Sequence, residues 1–455
     1  MPRSIDHFPD ELIQNIISRN DDKQTLYSLC FVSKRIHGIT LPYLYRRFTH
    51  RMFERPQRLH TFLRSVLVRP ELVLACEHIE ILDPETSVDY WDLDSWRGWA
   101  EERYLPILQA SDHMAILTAG TPLHNNAQDE IGHLIHSEEA QAALLICLAQ
   151  NLTYLHIENP NTTIEARRFQ TDHLLMETLH PQIRENKILQ NLQHLAATSS
   201  RLEGGQGGFR LSAIAPFFRL PGLRKFSGNV CHEPEDGLFA GFDCPARSSA
   251  VTTLSLHHSA VCPLALQLMI GACARLDHFA CDWAGTAVGW VELNFPLLRA
   301  ALREHRATLR TLTLDTRAHF DSWPEHDDGL IPALGDLGDF VLLEALDVPA
   351  SALIGWDEAG VAHGAGSALR DVLPPRIREL RVNQVAPRVY EHIAALAEVC
   401  NERFPELRRV VLVDMHDGAD AGGVEADLRK AFGDWGTDVD FVVEYPAETG
   451  YYLRN

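Results

Sequence analysis

Short segments in which apolar and polar residues alternate recur along most of the chain. Each follows the spacing apolar-x-x-apolar, usually extended by x-apolar, so we predict a β-strand at each. They are CEHIEI from Cys76, LTYLHI from Leu152, LQHL from Leu192, LRKF from Leu223, VTTLSL from Val251, LDHF from Leu276, LRTLTL from Leu309, LEALDV from Leu343, IRELRV from Ile377, LRRVVL from Leu407 and DVDFVV around Val439.

The spacing of these segments predicts an array of repeats. From Leu152 onward, consecutive segments begin 25 to 40 residues apart, which is typical of a solenoid. Stretches with helical periodicity lie between them, at residues 263–273, 295–305 and 390–404. One strand and one helix per unit make consecutive strands parallel, with the sheet on the concave face. The alternative is a mixed α/β protein with separate sheets.

The first fifty residues have a different, helical pattern. Three amphipathic segments lie at residues 8–17, 26–36 and 39–48. Pro9 suits a first helical turn, and we expect a second helix from about Lys23 to Ser33, with Gly38 closing it or the turn after it.

The apolar stripe of the first helix is wider than its own module can bury. Leu12, Ile13, Ile16 and Ile17 cover two adjacent columns of one helix face, and a module of about forty residues has too small a core to use both. Part of the stripe should therefore meet a partner. The alternative is that the segment forms a helical cap on the domain that follows.

This N-terminal segment resembles the F-box, which attaches substrate receptors of SCF-type ubiquitin ligases to a Skp-type adaptor. Phe8 and Pro9 stand where Leu and Pro are usual in that family, and the run from Val32 to Arg35 matches the end of its second helix. Asn20 and Ile36 stand where Leu and an aromatic residue are usual. By this resemblance, a set of apolar residues would meet the adaptor or hold the surface that does. They are Phe8, Pro9, Leu12, Ile13, Ile16, Leu26, Leu29 and Val32.

The array resembles the irregular leucine-rich repeats of F-box proteins, especially fungal ones, because L-x-x-L-x-L recurs without the consensus Asn of regular repeats. The expected fold class is α/β: a three-helix F-box at residues 1–50, a junction with a first degenerate repeat at 51–150, and a leucine-rich-repeat array at 151–455. The junction holds an aromatic cluster that either packs there or anchors a substrate. Its members are Tyr90, Trp91, Trp96, Trp99 and Tyr104.

Two polar loops that follow strands are candidate target-binding sites, since such loops project from one rim of a solenoid. The first supplies Asp315, His319, Asp321 and Trp323, and the second supplies Asp414, His416 and Asp417. Contact with a basic partner and simple solvation both fit these side chains. Neither loop has a recognised metal-ligand spacing, so no metal site is predicted.

Charge is divided unevenly. Residues 1–60 hold ten Lys and Arg against six Asp and Glu and so carry a charge of +4. Because the net charge of the chain is −21, the remaining residues carry −25. We expect an acidic array that favours basic partners over nucleic acid or anionic membranes. The charged start, the lack of a long apolar run and nine scattered cysteines without C-x-x-C predict an intracellular protein, in the cytoplasm, the nucleus or both.

A search for catalytic motifs finds no P-loop, G-x-S-x-G elbow or H-E-x-x-H. We therefore expect a non-catalytic protein without cofactors. By resemblance, its function is substrate recognition in an SCF-type ligase: the F-box binds the adaptor, and through it a cullin scaffold, while the array binds a protein target. The alternative is a leucine-rich scaffold that takes no part in ubiquitination.

Overall fold

A computed structural model describes most of the chain, and its described residues divide between two compact units. They are residues 8–51, 57–82, 138–158, 174–199, 208–233, 242–283, 291, 293–318, 332–355, 369–385, 387–414, 421–434 and 439–444. The first unit comprises Met1–Ser200 with Pro216–Leu223, and the second comprises Arg201–Ala215 with Arg224–Asn455. The aromatic cluster of residues 90–104 lies outside the described residues.

The first unit contains a parallel sheet with helices. Its strands pair in chain order and are β1 (Arg47–Arg51), β2 (His78–Leu82), β3 (Tyr154–Glu158) and β4 (His194–Thr198). Its helices are α1 (Asp10–Ser18), α2 (Lys23–Leu29), α3 (Lys34–Tyr45), α4 (Gln57–Val68), α5 (Glu71–Leu74), Glu138–Leu148 and Leu174–Arg184.

The second unit contains a longer parallel sheet. Its main path runs through β6 (Lys225–Asn229), β8 (Thr253–Val261), β9 (His278–Trp283), β10 (Thr311–Asp315), β11 (Ala345–Pro349), β12 (Glu379–Val385), β13 (Arg409–Asp414) and β14 (Asp440–Glu444). Two short strands, β5 (Phe209–Arg210) and β7 (Cys231–Glu233), pair beside the end of β8. All the predicted strands are therefore confirmed.

Helical segments connect the strands of the second unit. They are Pro263–Ala272, Phe295–Leu302, the 3-10 turn Arg303–His305, Ala350–Ile354, Leu369–Val372, Pro387–Arg403 and Ala421–Asp434. A further 3-10 helix spans Leu211–Arg219. The predicted helices near residues 263, 295 and 390 are confirmed, and the fold class is α/β with a parallel sheet. The concave position of that sheet stays a prediction.

One backbone contact recurs at the start of nearly every strand. The carbonyl preceding a strand accepts hydrogen bonds from two consecutive amide groups of the next strand's start; the Arg310 carbonyl, for example, accepts from Glu344 and Ala345 at 2.9 and 3.1 Å. The same contact is made by the carbonyls of Arg46, Glu77, Thr153, Arg224, Thr252, Asp277, Glu344 and Arg378. This contact keeps consecutive strands in the same register.

The fixed register stacks the apolar positions of the repeated motif in layers. In the β10 repeat, Leu309, Leu312 and Leu314 are fully buried, while Thr311 and Thr313 are partly exposed. Alternation along each strand thus separates a core face from an outward face. The sequence spacing apolar-x-x-apolar-x-apolar corresponds to that alternation of core and outward positions.

The N-terminal helices differ from the prediction in three respects. The second helix ends at Leu29, and Gly38 lies inside α3 rather than closing a helix. Ser33 explains both, because its hydroxyl accepts a hydrogen bond from the Ile36 amide and so caps α3 at its start. The predicted third helix reached Phe48, but α3 ends at Tyr45 and Phe48 lies in β1.

A proline interrupts the regular ladder between β10 and β11. The Arg310 carbonyl accepts from the Ala345 amide, and the pairing of the two strands continues as far as Thr313 and Asp347. Continued by two residues, it would bring the Leu314 carbonyl to the nitrogen of Pro349, which has no hydrogen. The buried side chain of Asn383 on β12 supplies the donor instead, with its Nδ2 atom 3.3 Å from the Leu314 carbonyl oxygen.

Replacing Asn383 by Leu should lower the free energy of unfolding by about 1–3 kcal/mol, because a buried carbonyl loses its donor. Urea denaturation measures the effect. In a Pro349→Ala background an amide hydrogen becomes available, so the same substitution should cost less there. Equal costs in the two backgrounds would show that Asn383 does not replace the missing donor.

Candidate functional site

The first candidate surface is apolar and lies on the N-terminal helices. Six large hydrophobic side chains within 25 residues remain exposed, and we call them the N-terminal apolar surface: Phe8, Leu12, Ile16, Tyr27, Phe31 and Val32. Leu12 is 49% exposed, Ile16 57% and Phe31 71%. A grouping of this kind is typical of an interaction site, whereas single exposed hydrophobics are not.

The N-terminal helices also enclose a small core. Ile13, Ile17, Leu26 and Ile36 are buried together, with Leu29 partly buried against them. On α1 the columns Ile13–Ile17 and Leu12–Ile16 run side by side, one turned inward and the other exposed. The module therefore uses half of the stripe as its core, as predicted from the stripe's width.

The structure divides the predicted adaptor-binding residues into two groups. Phe8, Pro9, Leu12, Ile16 and Val32 are exposed. Of the others, Ile13 and Leu26 are core residues and Leu29 is partly buried, so these three can only support the surface from below.

Sequence reasoning missed two aromatic members of the surface. Tyr27 and Phe31 form an edge-to-face pair, with ring centroids 4.9 Å apart. Their spacing of four residues was a signal, but α2 ends at Leu29, so Phe31 lies in the turn that follows and helical periodicity does not settle its direction. Tyrosine is one of the residues enriched at interface hot spots.

The second candidate surface, in the second unit, is acidic. Asp282, Asp315 and Asp347 lie on the adjacent strands β9, β10 and β11, and we call them the carboxylate row. Asp282 and Asp315 are paired in register, and Asp347 pairs with Thr313, two residues before Asp315. Only Asp315 was predicted from the sequence.

Basic and amide groups accompany each member of the row. The guanidinium of Arg317 bonds to Asp315 through Nε at 3.0 Å to each carboxylate oxygen. The Nδ1 atom of His258 lies 3.6 Å from Asp282. On β12, Arg381 and Asn383 approach Asp347 at 3.6 and 3.2 Å.

Two carboxyl groups of the row are costly to ionise in the folded protein. Burial raises the pKa of Asp282, and the neighbouring Asp315 raises it further, while His258 lowers it. Burial also raises the pKa of Asp347, where Arg381 acts in the opposite direction. The row is thus a partly buried group of carboxylates, two of which burial destabilises when they are ionised.

Most of the other predicted target-binding residues cannot be placed on this row. His319, Asp321, Trp323, His416 and Asp417 lie outside the described residues. Asp414 ends β13, where its backbone pairs with Val385, and its side chain is likewise outside the described part. In the segments that the structure describes, no group of three or more His, Cys, Asp or Glu side chains is placed to hold a metal ion.

The cysteines are not activated nucleophiles where they are buried. All nine are free thiols, and seven of them are buried. Burial raises the pKa of Cys231 to about 12, and that of Cys147 to the same value. At neutral pH these thiols are protonated, and they act as small core residues.

No helix in the described ranges is long and apolar enough to cross a membrane.

Comparison with protein families supports the repeat interpretation. A family model described as a leucine-rich repeat domain matches residues 205–452, more than half of the chain. No F-box match was found, and the N-terminal helices lie outside the matched range. No curated protein matches the chain.

Replacing Asp282 by Asn should stabilise the protein at pH 7, because the amide keeps an acceptor for the His258 backbone N–H but removes the buried charge. Folding raises the pKa of Asp282 above its ordinary value of 3.8. Ionisation of this carboxyl therefore destabilises the folded protein above the folded pKa, and the cost disappears as pH falls towards 3.8. The variant's gain in urea midpoint should therefore be present at pH 7 and absent near pH 4. A gain that is equal at both pH values would contradict this account.

Proposed function

This chain belongs to the leucine-rich repeat family, and from that premise we propose that it is the substrate-recognition subunit of an SCF-type ubiquitin ligase. Domains of this family are typically non-catalytic interaction modules, so a binding role for the array needs no further assumption. The ligase role is the finer part of the proposal. In it, the N-terminal helices bind a Skp-type adaptor and, through it, a cullin scaffold.

The N-terminal apolar surface carries this proposal. Its six exposed side chains stand on α1, on α2 and on the residues flanking these helices, and the three N-terminal helices share a core of four buried residues. Covering a half-exposed leucine or phenylalanine on binding contributes roughly 1 kcal/mol or more, so several of them together suffice for a stable complex. Because residues 8–35 resemble the F-box, the partner proposed for this surface is a Skp-type adaptor.

The proposed mechanism is proximity. An adaptor held at the N-terminal helices and a target held by the array would bring target lysines close to a charged conjugating enzyme, which raises their effective concentration. No acid, base or nucleophile is required from this chain. The transfer chemistry would belong to other subunits.

The carboxylate row gives the target a proposed chemistry. Burial, and to a smaller extent the neighbouring Asp315, raise the pKa of both Asp282 and Asp347, so a basic side chain of a target protein would stabilise their ionised forms. We therefore propose a target with a basic segment. The outward face around Asp315 is its proposed contact, and the protein is proposed to act in the cytoplasm, the nucleus or both.

A non-catalytic scaffold is the second candidate function. The family match by itself supports an interaction protein, and the apolar surface could hold a structural partner that is not part of a ligase. Reconstitution separates the two: an adaptor-bound, cullin-containing assembly that modifies none of the proteins captured by the array would favour the scaffold.

Replacing Leu12 or Phe31 by Ala should weaken binding to a purified Skp-type adaptor by about tenfold each, because each change removes roughly 1–2 kcal/mol of apolar burial. Calorimetry on the full chain measures the affinities. Both residues are exposed, so circular dichroism of the variants should match that of the parent.

Leu268→Ala is a matched control, since Leu268 is a 40% exposed leucine on the helix Pro263–Ala272 in the family-matched region. It should leave adaptor affinity unchanged. A parent chain that binds no adaptor would remove the ligase proposal and leave the leucine-rich interaction protein.

A further inference from the structure

The N-terminal apolar surface is assembled from two separate pieces of chain. Phe8, Leu12 and Ile16 belong to α1 and the residues before it, whereas Tyr27, Phe31 and Val32 belong to α2 and the turn after it. The buried core fixes the helices against each other, but Phe8 precedes the first helical residue, Asp10. Its position therefore needs another constraint.

Arg35 supplies a contact between the first piece and α3, the helix that follows the second piece. It lies in the first turn of α3, three residues after Val32. Its Nη2 atom donates to the Phe8 carbonyl at 2.7 Å, and its Nε atom donates to Asp10 Oδ1 at 2.8 Å. One guanidinium thus fixes both the residue before α1 and the first residue of the helix.

The Phe8 carbonyl lies before the helical hydrogen-bond ladder. That ladder begins at the Pro9 carbonyl, which accepts from the amides of Leu12 and Ile13 at 3.1 and 3.2 Å. The bond from Arg35 extends the order of α1 one residue further back. This bond is also close to the Leu12 and Ile13 amides, whose hydrogen exchange with solvent reports on the order of the first turn of α1.

We propose that Arg35 is a positioning residue for adaptor binding, holding Phe8 and the start of α1 in the geometry that docks; this inference rests on the proposed function. A planar guanidinium bonds two acceptors in a fixed geometry, which an ammonium does not reproduce. Fixing Phe8 before the encounter removes an ordering cost from binding.

An exposed pair of this kind adds little to global stability. The side chains of Arg35 and Asp10 are 41% and 55% exposed, and ion pairs of such exposure contribute little to folding. A positioning role therefore predicts a loss of affinity without a comparable loss of stability. A merely structural role predicts that neither changes much.

The test compares Arg35→Gln and Arg35→Lys with the parent in two measurements. Adaptor affinity by calorimetry should fall about tenfold in Arg35→Gln, and Arg35→Lys should recover little of it, since preorganisation is lost in both. Hydrogen exchange should become faster at the Leu12 and Ile13 amides and stay unchanged at Leu26, whose amide bonds to the Asp22 carbonyl.

Arg403→Gln is the matched control. Arg403 bonds to Asp371 at 2.7 Å with exposures of 49% and 46%, a similar pair in the second unit. It should change neither adaptor affinity nor exchange at Leu12.

The outcomes separate the two proposals. Unchanged exchange at Leu12 and Ile13 in Arg35→Gln overturns the positioning role, whatever the adaptor does. Faster exchange with unchanged affinity also overturns it, while leaving adaptor docking in place. A parent that fails to bind removes the proposed function, and with it the role of Arg35 in docking.

Discussion

The carbonyl that precedes each strand is the constraint on which the array depends. By accepting two consecutive amide hydrogens from the next strand's start, it sets that strand parallel and in step. Once the register is fixed, the leucines of L-x-x-L-x-L meet leucines of the neighbouring repeats, and the residues between them form rows on the outward face. Surface chemistry in this protein is therefore organised across the strands rather than along the sequence.

That constraint explains why strand positions could be predicted. Every strand that begins with the apolar-x-x-apolar spacing was found, because the spacing is itself the alternation of core and outward positions. β1, β5 and β7 were missed for the opposite reason. β5 and β7 are two and three residues long, and β1 reads RFTHR, which has one apolar position. Gly38 was wrongly predicted to end a helix. A glycine inside a helix costs about 1 kcal/mol relative to alanine, and in α3 the Ser33 cap and the burial of Ile36 outweigh that cost.

The candidate sites were predicted only in part, and the missing part is spatial. Asp282 and Asp315 each follow the last apolar position of their motif, so aligning the repeats would have paired them. Asp347 lies two residues earlier in its motif than Asp315 does in its own. The pairing of Asp347 with Thr313 on the adjacent strand places it near Asp315. At the N-terminus, the width of the α1 stripe correctly indicated an uncovered face. The contribution of Phe31 depends on where α2 ends, which the sequence does not state.

Both surfaces depart from the rules that stabilise a folded chain, and each does so in its own unit. A six-member apolar surface on α1 and α2 leaves hydrophobic burial unrealised, and the carboxylate row keeps charge where burial opposes it. Sequences that follow the folding rules almost everywhere tend to break them at functional sites. Neither surface brings together a nucleophile, a general base and a site for a reacting atom. Each instead can gain from a protein partner: apolar contact at the N-terminal helices, and positive charge at the row in addition to that of Arg317 and Arg381. A receptor needs such incomplete surfaces, because a surface already satisfied by its own chain has no free energy left to contribute to binding.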